Sequence, residues 1–263
     1  MMSTEPKNND LNATEKKMVT PTTSIAERPP YPPGVPFKFA PDGAVQPFAG
    51  NTILAHLSPE SAIYSSLLSL HSKLATHPTL SRLYTLLPPP SYHVTLFEGV
   101  CDQVHHGPPG VFWPQGVPVD APLEECTSLL IGKLGTGSAV SATGGSLDDF
   151  GLRVTGINPR FVVIGVDVSC ADAGEQEKIR NLREKLSKVL GIRHPGHDLY
   201  RLHISLAYFI RWPGEEELEA LSVLLKEHLE GMSEKEKGVR LGRPEFCRFK
   251  DMFAFERLFY LGD

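Results

Sequence analysis

Two stretches decide the fold: SYHVTLFEGV at residues 91–100 and LYRLHISLAYFI at residues 199–210. Within them, His93-Val94-Thr95-Leu96 and His203-Ile204-Ser205-Leu206 both read histidine, apolar, hydroxyl, apolar. β-Branched and aromatic residues dominate both, so each is read as a strand. Side chains alternate along a strand, so His93 and Thr95 leave one face while Val94 and Leu96 leave the other, and the second copy repeats the arrangement. One histidine beside one hydroxyl is an ordinary polar pair. Two such pairs at matched positions put two imidazoles on opposite sides of one groove.

The match extends upstream of each motif. NTILAHL at residues 51–57 is a strand, and Ser58-Pro59-Glu60 then opens a helix with an apolar stripe of Ile63, Leu67, Leu70 and Leu74 that His77-Pro78 ends. A short helical piece comes next over residues 79–86, and Pro88-Pro89-Pro90 breaks the chain before the first motif. In the second half, RFVVIGVDVS at residues 160–169 is a strand, and residues 173–190 form a helix with Ile179, Leu182, Leu186 and Val189 on one face, stopped by Gly191. From strand to motif histidine is 41 residues in the first half (Thr52 to His93) and 42 in the second (Phe161 to His203), the mark of a cryptic duplication. A third helix over residues 215–230 and an aromatic, strand-like segment over residues 246–261 complete two sheets.

The segment between the halves, residues 101–149, reads as a loop-rich insertion over the mouth of the groove, holding Gly107-Pro108-Pro109-Gly110 and a short strand near residues 128–131. The glycine-rich run at residues 132–146 lacks the Gly-Lys-Ser/Thr ending of a phosphate cradle and reads as flexible linker. Residues 1–36, polar and then proline-rich, form a tail; residues 37–263 form one bilobal domain.

Composition narrows the function. With 26 basic and 31 acidic residues the formal charge is −5, which argues against gripping long nucleic acid and leaves a small or terminal phosphate as ligand. Cys101, Cys126, Cys170 and Cys247 are too scattered for a zinc knuckle or disulfide framework. There is no apolar run long enough to span a membrane and no secretory h-region. The expected setting is the cytoplasm, without a membrane partner.

His93 and His203 suit acid–base chemistry because an imidazole with an ordinary pKa of about 6.5 serves as either acid or base near neutrality. Thr95 and Ser205 are placed to donate to phosphoryl oxygens. Second-tier candidates for substrate contact are Asn51, Arg201, Tyr92 and Tyr208. Arg201 shares parity with His203. Tyr92, one residue from His93, and Tyr208, five from His203, fall on the opposite faces, as does Tyr200 unless a bulge intervenes. Phe97 and Tyr200 also lie near the motifs. His194, His197 and Asp198 in one loop, and His105-His106 in another, invite a metal reading, but such loop clusters are more often turns; no metal or cofactor is expected.

These motifs, together with Gly50-Asn51-Thr52, Ser91-Tyr92-His93 and Phe97-Glu98-Gly99, resemble the two-histidine (2H) phosphoesterase superfamily over residues 50–263. That group includes bacterial RNA ligase-like and cyclic nucleotide phosphodiesterase enzymes, and the resemblance is to a subgroup of largely unassigned function. It implies an α+β fold of two pseudo-symmetric lobes, each a sheet backed by helices, with a cleft between them. It also implies metal-independent hydrolysis or transfer of a phosphodiester: a 2′,3′-cyclic phosphate, a small nucleotide or an RNA end. The rivals are a non-catalytic module holding a nucleotide or RNA end in the same cleft, and a metallohydrolase built on His194, His197 and Asp198.

Overall fold

The computed structural model describes residues 28–103, 110–135, 147, 149–160 and 162–262. The body begins at Tyr31. The elements in chain order are β1 (Gly50–His56), α1 (Ala62–Thr76), β2 (Tyr84–Leu86), β3 (His93–Cys101), α2 (Leu123–Gly135), β4 (Phe150–Pro159), β5 (Val163–Cys170), α3 (Ala173–Leu190), β6 (His203–Phe209), α4 (Glu215–Gly231), α5 (Glu234–Lys237), β7 (Gly238–Leu241), β8 (Glu245–Phe249) and β9 (Phe255–Tyr260).

They make two antiparallel sheets, a four-stranded one in the order β3-β1-β8-β9 and a five-stranded one in the order β2-β6-β5-β4-β7. Helices back both, giving an α+β fold of two lobes. The two halves of the duplication trade elements. β2 follows α1 in the first half but pairs with β6 in the five-stranded sheet, and α1 lies against α5 and β7. Conversely, α3 of the second half reaches β3. Exchange of this kind ties the lobes together and sets β3 against β6, the two strands that carry the motifs.

Local chemistry explains the helices. In α1, Ser61 rather than Ser58 is the cap, its hydroxyl accepting from the Tyr64 N–H at 3.3 Å, while Ser58 belongs to the preceding turn. Ile63, Leu67, Leu70 and Leu74 are all buried. In α3, Asp172 caps through Glu175 N–H at 2.9 Å, and Gly191 at φ 70° closes the helix in the left-handed conformation. Ile179, Leu182 and Leu186 face the core; Val189 is only partly buried, and Leu190 takes its place.

The strands obey the alternation. Val94, Leu96, Ile204 and Leu206 are essentially inaccessible, while His93, Thr95, His203 and Ser205 are half-buried. Burying each aliphatic side chain contributes roughly 1.5–3 kcal/mol, so the back faces fix the pleat that aims the histidine faces into the groove.

Other expectations are corrected. Residues 123–135 are a helix, not loop with a strand near 128–131: Cys126, Leu130 and Leu134 form a buried stripe at spacing four that the surrounding glycines hide in the sequence. Residues 79–86 are a single turn of 3₁₀ helix, Leu80–Arg82, followed by β2 rather than a helical piece. The second-half strand begins at Val163, and β4 and β7 form where no strand was read. Residues 31–36 belong to the body, with Val35 and Phe39 in the core and a bridge between Phe39 and Val45. The His105-His106 pair and most of the glycine-rich run lie outside the described residues, apart from residues 132–135, which end α2.

Candidate active site

The groove between the sheets holds a cavity of about 370 Å³ lined by His93 and Thr95 from β3 and by His203 and Ser205 from β6. Four equivalent motif side chains therefore meet at one place. Each histidine opens its strand, and each is held the same way: His93 Nδ1 donates to the Ser91 carbonyl at 2.7 Å and His203 Nδ1 to the Arg201 carbonyl at 3.0 Å. A carbonyl accepts only, so each Nδ1 carries the proton and each Nε2 is left to face the cavity as an acceptor.

Burial holds both imidazoles in the neutral form. His93 is pushed down to about 4, chiefly by burial, with the nearby His56 and His203 adding to the depression and the Ser91 carbonyl opposing it. His203 is lowered by burial and by the Arg160 guanidinium, against the Arg201 carbonyl. The hydroxyl of Thr95 hydrogen-bonds the Tyr200 phenol, whose own pKa burial drives upward.

Two β-bulges supply further cleft residues that strict alternation hides. In β3, Leu54 pairs with Thr95 and Ile53 with Phe97, so Leu96 is an extra residue. In β6, Gly165 pairs with Ser205 and Ile164 with Ala207, so Leu206 is extra in the same way. Each bulge shifts the parity of the residues beyond it. Glu98 and Tyr208, five residues beyond the two histidines, consequently turn into the cleft as another matched pair. The expectation that Tyr208 faces away is thus corrected. The carbonyl of Leu96 accepts from the buried Arg183 at 2.6 Å, and that of Leu206 from the Leu87 N–H at 2.8 Å. Arg183 also stacks on Tyr200, its guanidinium 4.3 Å from the ring centroid, bringing Tyr200 to the wall of the cavity.

The remaining second-tier candidates fare differently. Tyr92 is buried on the far face against Tyr64, its hydroxyl without a partner among the described residues; it is core. Arg201 turns its exposed side chain to a separate, larger concavity of about 1250 Å³ between β5 and α3, and serves the cleft only through its carbonyl. That concavity holds no motif residue, and its charges compensate each other, as in the Arg160–Asp167 ion pair. Asn51 borders the cavity but spends its amide on structure, donating to Thr127 of α2 at 2.9 Å and accepting from Val100 N–H at 3.2 Å. A side chain at Gly99 would meet the Asn51 carbonyl at 2.2 Å, which is why Gly99 faces Asn51.

The proposed metal loop does not come together. His194 Nε2 donates to the Glu98 and Gly99 carbonyls at 3.1 and 2.9 Å. His197 and Asp198 do approach Glu184, but Arg193 already bridges both carboxylates, at 3.1 Å to Glu184 and 2.5 Å to Asp198. A guanidinium fills the place a cation would take.

Two features were not legible in the motifs. Lys38, from the segment preceding β1, lines the cavity with its ammonium 3.4 Å from the Tyr208 hydroxyl. Behind His93, its strand partner His56 donates through Nδ1 to the buried Glu245 at 2.9 Å.

Residues 38–162 match the 2H-phosphodiesterase family described as a domain of unknown function, DUF1868, a span that contains the first motif. The chain belongs to the 2H phosphoesterase superfamily. A crystal structure of a conserved protein of unknown function from Agrobacterium tumefaciens superposes with a TM-score of 0.79 at 30% identity, over 91% of this chain and 97% of that one. That likeness extends over both motifs' halves of the fold. Looser superpositions are found with a Thermus thermophilus protein (TM-score 0.42, 17% identity, 81% and 97% of the two chains) and with a protein titled phosphoesterase (0.44, 12%, 83% and 100%). No curated protein matches the sequence. Among the described residues no helix of this 2H protein is long and apolar enough to cross a membrane.

Proposed function

We propose that the cleft cleaves or transfers a phosphodiester by acid–base catalysis between His93 and His203, without a metal, on a 2′,3′-cyclic phosphate, small nucleotide or RNA end. The observation that carries this reading is the matched tethering of the two rings through Nδ1, which presents two Nε2 atoms across one cavity. Family membership points the same way, toward phosphodiester hydrolysis.

One imidazole takes a proton from the attacking water or hydroxyl as its oxygen bonds to phosphorus. The other, protonated, gives its proton to the leaving oxygen as that bond breaks. Thr95 and Ser205 donate to the non-bridging oxygens, where charge accumulates. An acid–base pair needs one protonated ring, yet burial keeps both neutral in the free cleft. The bound phosphodiester anion supplies the missing counter-charge and raises the pKa of the ring beside it.

The cavity volume matches a mononucleotide-sized ligand rather than a polymer. The test is incubation with 2′,3′-cyclic nucleotides in excess chelator. Turnover that falls about 10²–10⁴-fold in His93→Ala and in His203→Ala is the expected result. Saturable binding without product would instead make the protein a nucleotide-binding module, and activity lost on chelation would return it to metal chemistry.

A further inference from the structure

The two-histidine mechanism accounts for four side chains of the cleft but leaves its cation, Lys38, without a task. Lys38 lies outside the duplication, on the segment that runs past the cavity before β1, and its neighbours hold it firmly. Phe39 is buried, with its ring 5.3 Å from that of Tyr208 and 5.9 Å from that of Phe253. The ammonium sits over the rings of Phe48, at 5.0 Å, and Tyr208, at 4.9 Å. Among the described residues it has no carboxylate within ion-pair distance. Glu98, the carboxylate of the cleft, makes no ion pair with it among the described residues, and its charge is felt at Arg183, Tyr200, Cys101 and His203. A half-buried ammonium sandwiched by two aromatic rings in a ligand-sized cavity is a prepared anion site.

Its position says which anion. The reacting phosphate belongs between the imidazoles and hydroxyls, at residues 93, 95, 203 and 205. Lys38 hydrogen-bonds Tyr208, beyond the bulge, and its charge is felt both at Cys101, at the far end of β3, and more weakly at His203. Strand rise of about 3.3 Å per residue puts the backbone of that inner end roughly 10 Å or more from the histidines. We propose that Lys38 is a specificity-determining residue: it selects substrates that carry a second anionic group, a phosphate monoester on the same small molecule as the reactive diester. This rests on the phosphodiesterase reading above, which it deepens by naming the substrate class.

The test compares adenosine 2′,3′-cyclic phosphate with and without a 5′-phosphate, on the full chain, its Lys38→Met variant and its Lys38→Arg variant, with thermal unfolding to confirm that each variant is folded. Both kcat/KM and equilibrium binding are read. Wild type is expected to prefer the doubly phosphorylated compound by at least about tenfold, the scale of one charge-assisted contact. Lys38→Met should erase that preference by costing the doubly phosphorylated compound at least about tenfold more than the singly phosphorylated one, and Lys38→Arg should largely restore it. Equal losses on both compounds would place Lys38 on the reacting phosphate and overturn the proposal, as would a wild type with no preference in either readout. If neither compound turns over, the catalytic reading fails; a binding preference that Lys38→Met abolishes would still sustain the role of Lys38.

Discussion

Replacing His93 with glutamine should make the protein more resistant to acid, because the cleft forces on this ring a protonation state that the unfolded chain does not share. In the folded protein His93 is held at about 4, against an ordinary value near 6.5. Above pH 6.5 the ring is neutral in both states and adds nothing to the pH dependence. As pH falls from 6.5 toward 4 the unfolded chain takes up a proton that the folded chain refuses, so stability drains away through that window and the loss is complete below it. At pH 5 the full shift corresponds to about 2 kcal/mol; since the ring is half-buried and solvent screens part of the effect, the expected figure is about 1–2 kcal/mol. The assay is urea unfolding of wild type and His93→Gln at pH 8 and pH 5. The variant should lose less stability between the two pH values by that amount, the other titrating groups cancelling in the difference. Parallel pH dependences would refute the claim that this imidazole is kept neutral by its surroundings.

Other substitutions probe the frame of the site. Tyr92→Phe removes a buried hydroxyl with no partner among the described residues and should leave turnover unchanged while raising stability by up to about 1 kcal/mol in thermal unfolding. Gly99→Ala would set a methyl 2.2 Å from the Asn51 carbonyl and 2.4 Å from its Oδ1; denaturant titration should show a loss of about 2–4 kcal/mol as β1 and β3 are forced apart. Arg183→Met strips the hydrogen bond from the bulge carbonyl of Leu96 and should destabilise by about 2–3 kcal/mol while disturbing Tyr200, seen as a higher KM for the cyclic nucleotide.

Much of this architecture was legible because period-two alternation and duplication are both local signals. His93, Thr95, His203 and Ser205 could be placed on one cleft from two tetrapeptides and their spacing, and the burial of Val94, Leu96, Ile204 and Leu206 behind them comes from the same pattern. The parts that escaped depend on tertiary pairing. A bulge inserts one residue without any marker in composition, so strict alternation turned Tyr208 away from the cleft and gave no sign of Glu98 there. The exchange of β2 between lobes is long-range, as is the approach of Lys38 to Tyr208 across 170 residues of chain. α2 was masked by its glycine-rich surroundings, although Cys126, Leu130 and Leu134 carry a helical stripe. Arg201 shows the opposite error: parity brought it near the site, but its exposed side chain turns to the outer concavity, whereas Asn51 does border the cavity, with its amide held by Thr127 and Val100.

The central claim is that His93 and His203 address one phosphate together. A crystal structure with inorganic phosphate or vanadate bound tests it most directly. The predicted result is one anion in the cavity of β3 and β6, within hydrogen-bond reach, about 2.6–3.2 Å, of both Nε2 atoms and of the Thr95 and Ser205 hydroxyls. An anion bound instead among Arg160, Arg180 and Arg201 in the outer concavity, with the space between the imidazoles left to water, would contradict it.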